Sequence, residues 1–221
     1  MIEGVGSLMQ YKPGIRDDVD SWKEVQLIYN SALKEVETKL EILNDEFQHV
    51  HNYNPIEHIK SRIKTSDSIV KKLKKYGKEI SIENMVEHIC DIAGIRIICS
   101  FESDIYEIAK MIVKQNDIKV LSVKDYIIEP KKSGYKSYHL IVLIPIFLSN
   151  RVVEAKVEIQ IRTIAMDFWA SLEHKIHYKF EGNVPKSIKN ELVDCAKMIS
   201  KLDTKMMNLN EEVQKCIDEI E

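Results

Sequence analysis

The chain has 221 residues and a formal charge of −3, from 32 basic and 35 acidic side chains. Apolar residues at 44%, with only 7 Gly and 5 Pro, predict one packed domain with helical extensions and exclude a fibrous, linker-rich or wholly disordered chain. No apolar run approaches the roughly 20 residues needed to span a bilayer, and Met1–Tyr11 lacks a basic-then-apolar signal pattern. A cytoplasmic protein with no membrane partner is the expectation.

Residues 1–20 carry no periodic pattern and read as an N-terminal tail. Trp22, Val25, Tyr29, Leu33, Val36, Leu40, Leu43, Phe47 and Val50 then recur at steps of three and four, an amphipathic helix of about seven turns within 21–54. Asn54-Pro55 ends it, because a residue before proline avoids the α region. Ile59–Tyr76 reads as a basic helix closed by Gly77, and Ser81-Ile82-Glu83-Asn84 opens a short helix that stops near Asp91. Beyond it the period changes. Gly94–Cys99 is a short strand signal, and Ser137–Ile146 is an apolar, β-branched run. Val153–Arg162 is the clearest strand: Val153, Ala155, Val157, Ile159 and Ile161 fall on one face, and Glu154, Lys156, Glu158, Gln160 and Arg162 on the other. Solvent is the simplest partner for Glu154 and Lys156. Thr163 can cap a helix through Tyr178. Leu192, Ile199, Leu202, Met206, Leu209, Val213 and Ile220 mark a second long helix in a C-terminal extension, 181–221, that must pack on the body or on another subunit. The expected fold is α/β (α+β), a mixed sheet of about five strands flanked by helices, with 55–180 as its central unit. Cys90, Cys99, Cys195 and Cys216 show neither paired nor zinc-type spacing and read as small apolar residues in a reducing compartment.

Charge is concentrated along the chain. Lys60–Lys78 holds eight Lys/Arg against one acid, Asp67, and a second basic stretch carries Lys119, Lys124, Lys131, Lys132 and Lys136. A near-neutral chain with a basic middle points to a local phosphate site, not a duplex-binding surface. Neither a Walker A sequence nor a kinase-like glycine loop occurs, so side chains must hold the phosphates. On the expected basic helix, Lys64, Ser68 and Lys72 stack at i, i+4 and i+8 beside Arg62, a ladder suited to a polyanion. Asp91, ahead of an expected Ala93-Gly94 turn, and Glu158, on the polar strand face, can supply the two carboxylates of a Mg²⁺ site. Tyr135 follows Gly134, and a base can stack on such a ring. His49, His51, His174 and His177 read as ordinary helix residues, not as metal ligands.

Asp91-Ile-Ala-Gly-Ile-Arg96, Lys124-Asp125-Tyr126, Gly134-Tyr135-Lys-Ser137-Tyr-His139 and Glu158-Ile-Gln160-Ile-Arg162-Thr163 stand in the order seen in RelA/SpoT-type (p)ppGpp synthetases. Trp169 and Glu173-His174-Lys-Ile-His-Tyr178 follow as in the same family. The resemblance runs from about Pro55 to Phe180, and the compact length is similar to the small RelQ-type alarmone synthetases. It implies a nucleotidyltransferase-like domain that transfers pyrophosphate from ATP to the 3′-hydroxyl of GTP or GDP (or GMP), releasing AMP. It also implies Arg62 and Arg96 about the adenine, and Lys64, Ser68, Lys72 and Lys124 near the ATP phosphates. Asp91 and Glu158 match the Mg²⁺ carboxylates, with Glu158 also activating the 3′-hydroxyl. Tyr135 matches the guanine-stacking residue, Lys131 and His139 lie toward the acceptor phosphates, and Gln160 lies beside the acceptor.

The sequence departs from the family pattern at Lys136, where an arginine is usual, and at Ser133, where long members commonly carry asparagine. No His-Asp dipeptide occurs, so synthesis without hydrolysis is expected. The RelQ-type resemblance implies a homotetramer, with an alarmone or single-stranded RNA as regulator; His58 stands where a larger aromatic is expected in the regulatory segment. Two other readings are a catalytically silent module binding guanine nucleotides or single-stranded RNA, and a purely structural oligomer. The first would be favoured by loss of a Mg²⁺ carboxylate, and both are present; the second leaves the polar face of Val153–Arg162 without a purpose.

Overall fold

In the computed structural model the described residues are 19–51, 53–180 and 184–219, so residues 1–18 of the expected tail and Ile220 of the C-terminal stripe lie outside them. Helix α1 (Val19–His51) buries Val25, Ile28, Tyr29, Ala32, Leu33, Val36 and Leu40 against a five-stranded sheet. The strands are β1 (Ile56–Ile63), β2 (Ala93–Cys99), β3 (Lys119–Asp125), β4 (Tyr138–Phe147) and β5 (Val152–Thr163), in spatial order β1-β2-β5-β4-β3. Strands β2 and β5 run parallel and the other neighbours antiparallel, a mixed sheet. The remaining helices are α2 (Ser66–Lys75), α3 (Ile82–His88), α4 (Glu102–Val113), α5 (Ile164–Lys179) and α6 (Lys186–Asp218). No described helix is long and apolar enough to cross a membrane.

The alternation in β5 is what positions the site. Val153, Ala155, Val157, Ile159 and Ile161 belong to the main core with α1, while Glu154, Lys156, Glu158 and Gln160 on the other face remain partly exposed. Lys156 does more than meet water: its Nζ donates to the carbonyls of Val86 and Glu87 at 3.2 and 2.7 Å, satisfying the end of α3.

Several expectations are corrected. Ile59–Tyr76 is not one helix. Residues up to Ile63 pair along β2, and this backbone ladder, not the lysine-rich segment that follows it, sets their conformation. Thr65 then caps α2 by accepting from the Ser68 amide, with Gly77 at φ 66 closing that helix as expected. Arg62 therefore sits on a strand and Lys64 in the link, so Lys64, Ser68 and Lys72 form no common helical ladder. Ala93 and Gly94 lie within β2 and make no turn, and α3 ends at His88, short of Asp91. The stripe of α1 is covered within its own chain over most of its length, which leaves α6 as the long apolar stripe needing a partner.

Helix α6 has two characters. Its first half packs Leu192, Cys195, Ala196 and Ile199 around Trp169 of α5, and Asp203 is buried. Past Asp203 nearly every described side chain is exposed, and Met198, Leu202, Met206, Leu209, Val213 and Ile217 are all open to solvent. The cysteines are free thiols: Cys99 is buried, whereas Cys216 is exposed and does not fit the apolar expectation.

Candidate active site

Strand register brings the polar side chains into rows, because partners on neighbouring strands project to the same face. Lys60, Arg96, Gln160, His139 and Lys124 are successive partners across all five strands. The adjacent row contains Arg62, Gly94, Glu158 and Ile141, and Gly94 puts no side chain between Arg62 and Glu158. A cavity of about 170 Å³ opens there, lined by Lys60, Arg62, Arg96, Glu158 and Gln160 among others. Arg62 is exposed at its rim, and Lys124 is exposed on β3, at the other edge of the sheet.

Asp91 enters the same face from the link before β2. Its carboxylate accepts from Lys64 Nζ at 2.9 Å and from Lys72 Nζ at 2.8 Å. Burial alone would raise its pKa, but the two ammonium groups outweigh burial and hold it below the ordinary value of 3.8. Lys72 responds in kind: burial would lower its pKa, and Asp91 raises it. Each partner of the Asp91–Lys72 pair thus favours the charged form of the other. Ser68 lies in the first turn of α2, one turn before Lys72, and its hydroxyl accepts from Thr65 at 2.9 Å.

Glu158 is held from the other side. Gln160 Nε2 donates to it at 2.8 Å, and His139 Nδ1 lies 3.5 Å away. Burial would raise its pKa, yet these contacts keep it below 4.5 even with Asp91 near enough to push it up. Two ionised carboxylates that sense one another form a hard oxygen donor set. No trio of His, Cys, Asp or Glu gathers for a metal among the described residues. Such a pair has the donor chemistry that Mg²⁺ takes, one or two carboxylates with the other positions left to water and phosphate oxygens.

The second group of residues clusters around Tyr135. The loop from β3 to β4 begins with Asp125 accepting from the Ile127 and Ile128 amides, and it tightens where Gly134 N donates to the Lys131 carbonyl at 2.8 Å. Lys131 Nζ lies 4.5 Å from the ring centroids of both Tyr126 and Tyr135, and burial together with Arg162 and Lys124 lowers its pKa despite Glu158. Tyr135 Oη is 2.8 Å from His139 Nε2 and accepts from Arg162 Nη2 at 2.6 Å.

Arg62, Lys64, Lys72, Arg96 and Asp91 are thus gathered on one side, Lys131, Tyr135, His139 and Gln160 on the other, with Glu158 between them. Three residues of the site had no role assigned from sequence. Arg162 is buried beneath Tyr135, Tyr126 packs edge-on to both Tyr135 and His139, and Asp167 Oδ1 lies 3.2 Å from Arg96 and 3.1 Å from Arg162. Arg162 carried a signal, its place on the polar face of β5; Asp167 looked like any acid in the first turn of a helix. His177 pairs with Glu173 at 3.1 Å along α5.

Residues 61–183 match the region found in RelA/SpoT proteins. The chain is 51% identical over 195 residues to GTP pyrophosphokinase YwaC of Bacillus subtilis (strain 168), covering 88% of this chain and 93% of that protein. Its fold is similar to the crystal structure of the small alarmone synthetase 2 from Bacillus subtilis, at 49% identity and a TM-score of 0.79 over 86% of this chain and 98% of that one. It is equally similar to small alarmone synthetase 1 from the same organism bound to its product pppGpp, at 36% identity and a TM-score of 0.81, covering 88% and 99%. Ordered motifs, shared fold and near-full-length similarity agree: the chain belongs to the RelA/SpoT family.

Proposed function

We infer that the protein is a GTP pyrophosphokinase, a (p)ppGpp synthetase that transfers pyrophosphate from ATP to the ribose 3′-hydroxyl of GTP or GDP and releases AMP. The observation that carries this reading is the position of Glu158, coupled to the Asp91–lysine cluster on one side and hydrogen-bonded to the Tyr135–His139–Gln160 cluster on the other. An ionised carboxylate between the cationic cluster and the aromatic cluster is placed to take the proton of an attacking hydroxyl. The new bond joins the acceptor 3′-oxygen to the β-phosphorus of ATP, the bond between the α- and β-phosphates breaks, and Glu158 keeps the proton.

Arg62 and Arg96 hold the adenine, and Lys64, Lys72 and Lys124, with Ser68, face the polyphosphate. The trio around Asp91 offers its lysines to phosphate oxygens once a cation shares the carboxylate. Mg²⁺ held by Asp91 and Glu158 supplies neutralisation of the phosphates and polarisation of the reacting phosphorus. Lys131 and His139 face the acceptor phosphates, Tyr135 stacks on guanine, and Gln160 contacts the acceptor ribose. Residues 55–180 form the catalytic unit between the 21–54 helix and the 181–221 extension. The protein works in the cytoplasm as a homotetramer joined through α6, with an alarmone or single-stranded RNA as regulator and no hydrolase activity.

Incubation with Mg²⁺, labelled ATP and GTP, followed by nucleotide separation, tests the reading: AMP and a guanosine polyphosphate should appear in equal amounts. Glu158→Gln keeps the shape and removes the base, so turnover should fall at least ~10²-fold, the low end of general-base contributions. Wild-type turnover in that variant would overturn the assignment.

A further inference from the structure

Arg162 is 4% exposed and uses four of its five N–H groups. Nε points to Ser137 Oγ at 3.4 Å, Nη1 to Asp167 Oδ1 at 3.1 Å, and Nη2 to both Tyr135 Oη at 2.6 Å and Gln160 Oε1 at 2.9 Å. A guanidinium has no acceptor, so every one of these contacts runs outward, and that fixes the next proton along each arm. The Tyr135 oxygen accepts from Arg162, which leaves its own hydrogen for His139 Nε2, 2.8 Å away. A neutral imidazole that accepts at Nε2 carries its proton on Nδ1, and Nδ1 is the nitrogen facing Glu158 Oε1. On the other arm Gln160 turns its carbonyl to Arg162, so its amide N–H donates to Glu158 Oε2. Arg162, Tyr135, His139, Glu158 and Gln160 therefore close a ring in which all protons run from one source to one sink.

We propose that Arg162 is a positioning residue that sets the direction of both arms, so that each oxygen of Glu158 receives a donor and the carboxylate is held ready for the acceptor hydroxyl. Arg162 acts through its neighbours and touches no substrate. The inference rests on the reading of Glu158 as the base. Without the guanidinium, Gln160 is free to flip and His139 free to take the other tautomer. A carbonyl oxygen or a bare ring nitrogen would then face the carboxylate and push it out of place.

Two measurements on the full-length protein test this. In the nucleotide-free protein labelled with ¹⁵N-histidine, at about pH 8 where an ordinary imidazole is neutral, the His139 signal (identified by its loss in His139→Asn) should report the Nδ1–H tautomer. Tyr135→Phe deletes only the hydroxyl and leaves Arg162 paired with Asp167, and it should abolish that single-tautomer preference. In kinetics, Tyr135→Phe and Arg162→Lys should each lower kcat about tenfold, the worth of one well-placed hydrogen bond, while KM for ATP and GTP stays within about twofold. Tyr135→Ala should instead raise KM for GTP, because it removes the stacking ring. An Nε2–H or doubly protonated His139 in the wild type, or wild-type kcat in Tyr135→Phe, would overturn the proposal and leave the synthetase reading standing. A wild-type protein that forms no AMP would overturn that reading and, with it, the role given to Glu158.

Discussion

Asp91 takes one ammonium group on each oxygen, and the consequence is a defined acid sensitivity. Its folded pKa lies below 3.8, so its stabilisation is complete above 3.8 and is lost as the pH falls through the lower folded value. Asp91→Asn would leave Lys64 and Lys72 facing each other without their counter-charge, at a cost of about 2 kcal/mol near neutral pH. Urea unfolding of both proteins across a pH series checks the sign: the gap should shrink as the pH drops below 3.8. A gap that ignores pH would mean that packing, not charge, is what the carboxylate supplies. At this scale the sequence was most legible where a residue sits in a periodic element. The period of two alone puts Glu158, Gln160 and Arg162 on the polar side of β5, but it does not give the partners that orient them. Asp167 reaches Arg96 and Arg162 from another element, and no spacing along the chain announces a contact made through space.

Among elements, the central strands declared themselves and the edges did not. β5 is covered by core on one face and by polar chemistry on the other, which is what produces a clean period of two. Strands β1 and β3 close the two edges of the sheet and are largely exposed, so they carry little buried apolar surface for a pattern to show. The end of β1 runs straight into the lysine-rich segment of α2, which suggested one continuous helix, and pairing with β2 decided otherwise. The turn at Gly134 offers a direct test of element packing. Gly134 has φ 89, and a Cβ placed there would lie 2.5 Å from Cβ of Ala196 on α6. Gly134→Ala should therefore destabilise the protein by about 1–3 kcal/mol through strain and overlap. Adding Ala196→Gly should recover the overlap part but not the backbone part. Thermal unfolding of the single and double variants separates the two, and full recovery would show that the left-handed backbone costs nothing here.

On the scale of the whole molecule, the proposed assembly rests on the striping of α6. Met198, Leu202, Met206, Leu209, Val213 and Ile217 follow one another at steps of three and four, all exposed, along a helix whose distal half touches little of its own chain. An apolar face of that length is an interface in search of a partner, and a second copy presents the same face. Leu209→Glu with Val213→Glu should reduce the mass measured by light scattering while AMP formation per chain persists at substrate saturation. A wild-type protein that is already monomeric at micromolar concentration would sink the tetramer. The cavity beside Glu158 is lined from β1, β2 and β5 and by no residue of α6, so these substitutions leave its lining intact.

The inner face of α6 makes that separation incomplete. Lys136 donates to Ser200 at 2.7 Å, Trp169 Nε1 donates to the Leu192 carbonyl at 2.9 Å, Thr163 donates to Asp203 at 2.5 Å, and Gly134 abuts Ala196. Each of these holds a residue beside the acceptor cluster or at the end of β5. The stretch shared with RelA/SpoT proteins stops at residue 183, three residues before α6 begins. A fragment cut at that family boundary would keep every residue assigned to chemistry and lose the wall against which the Tyr135 loop is set. For anyone trimming, fusing or transplanting this enzyme, the portable unit ends no earlier than Asp203.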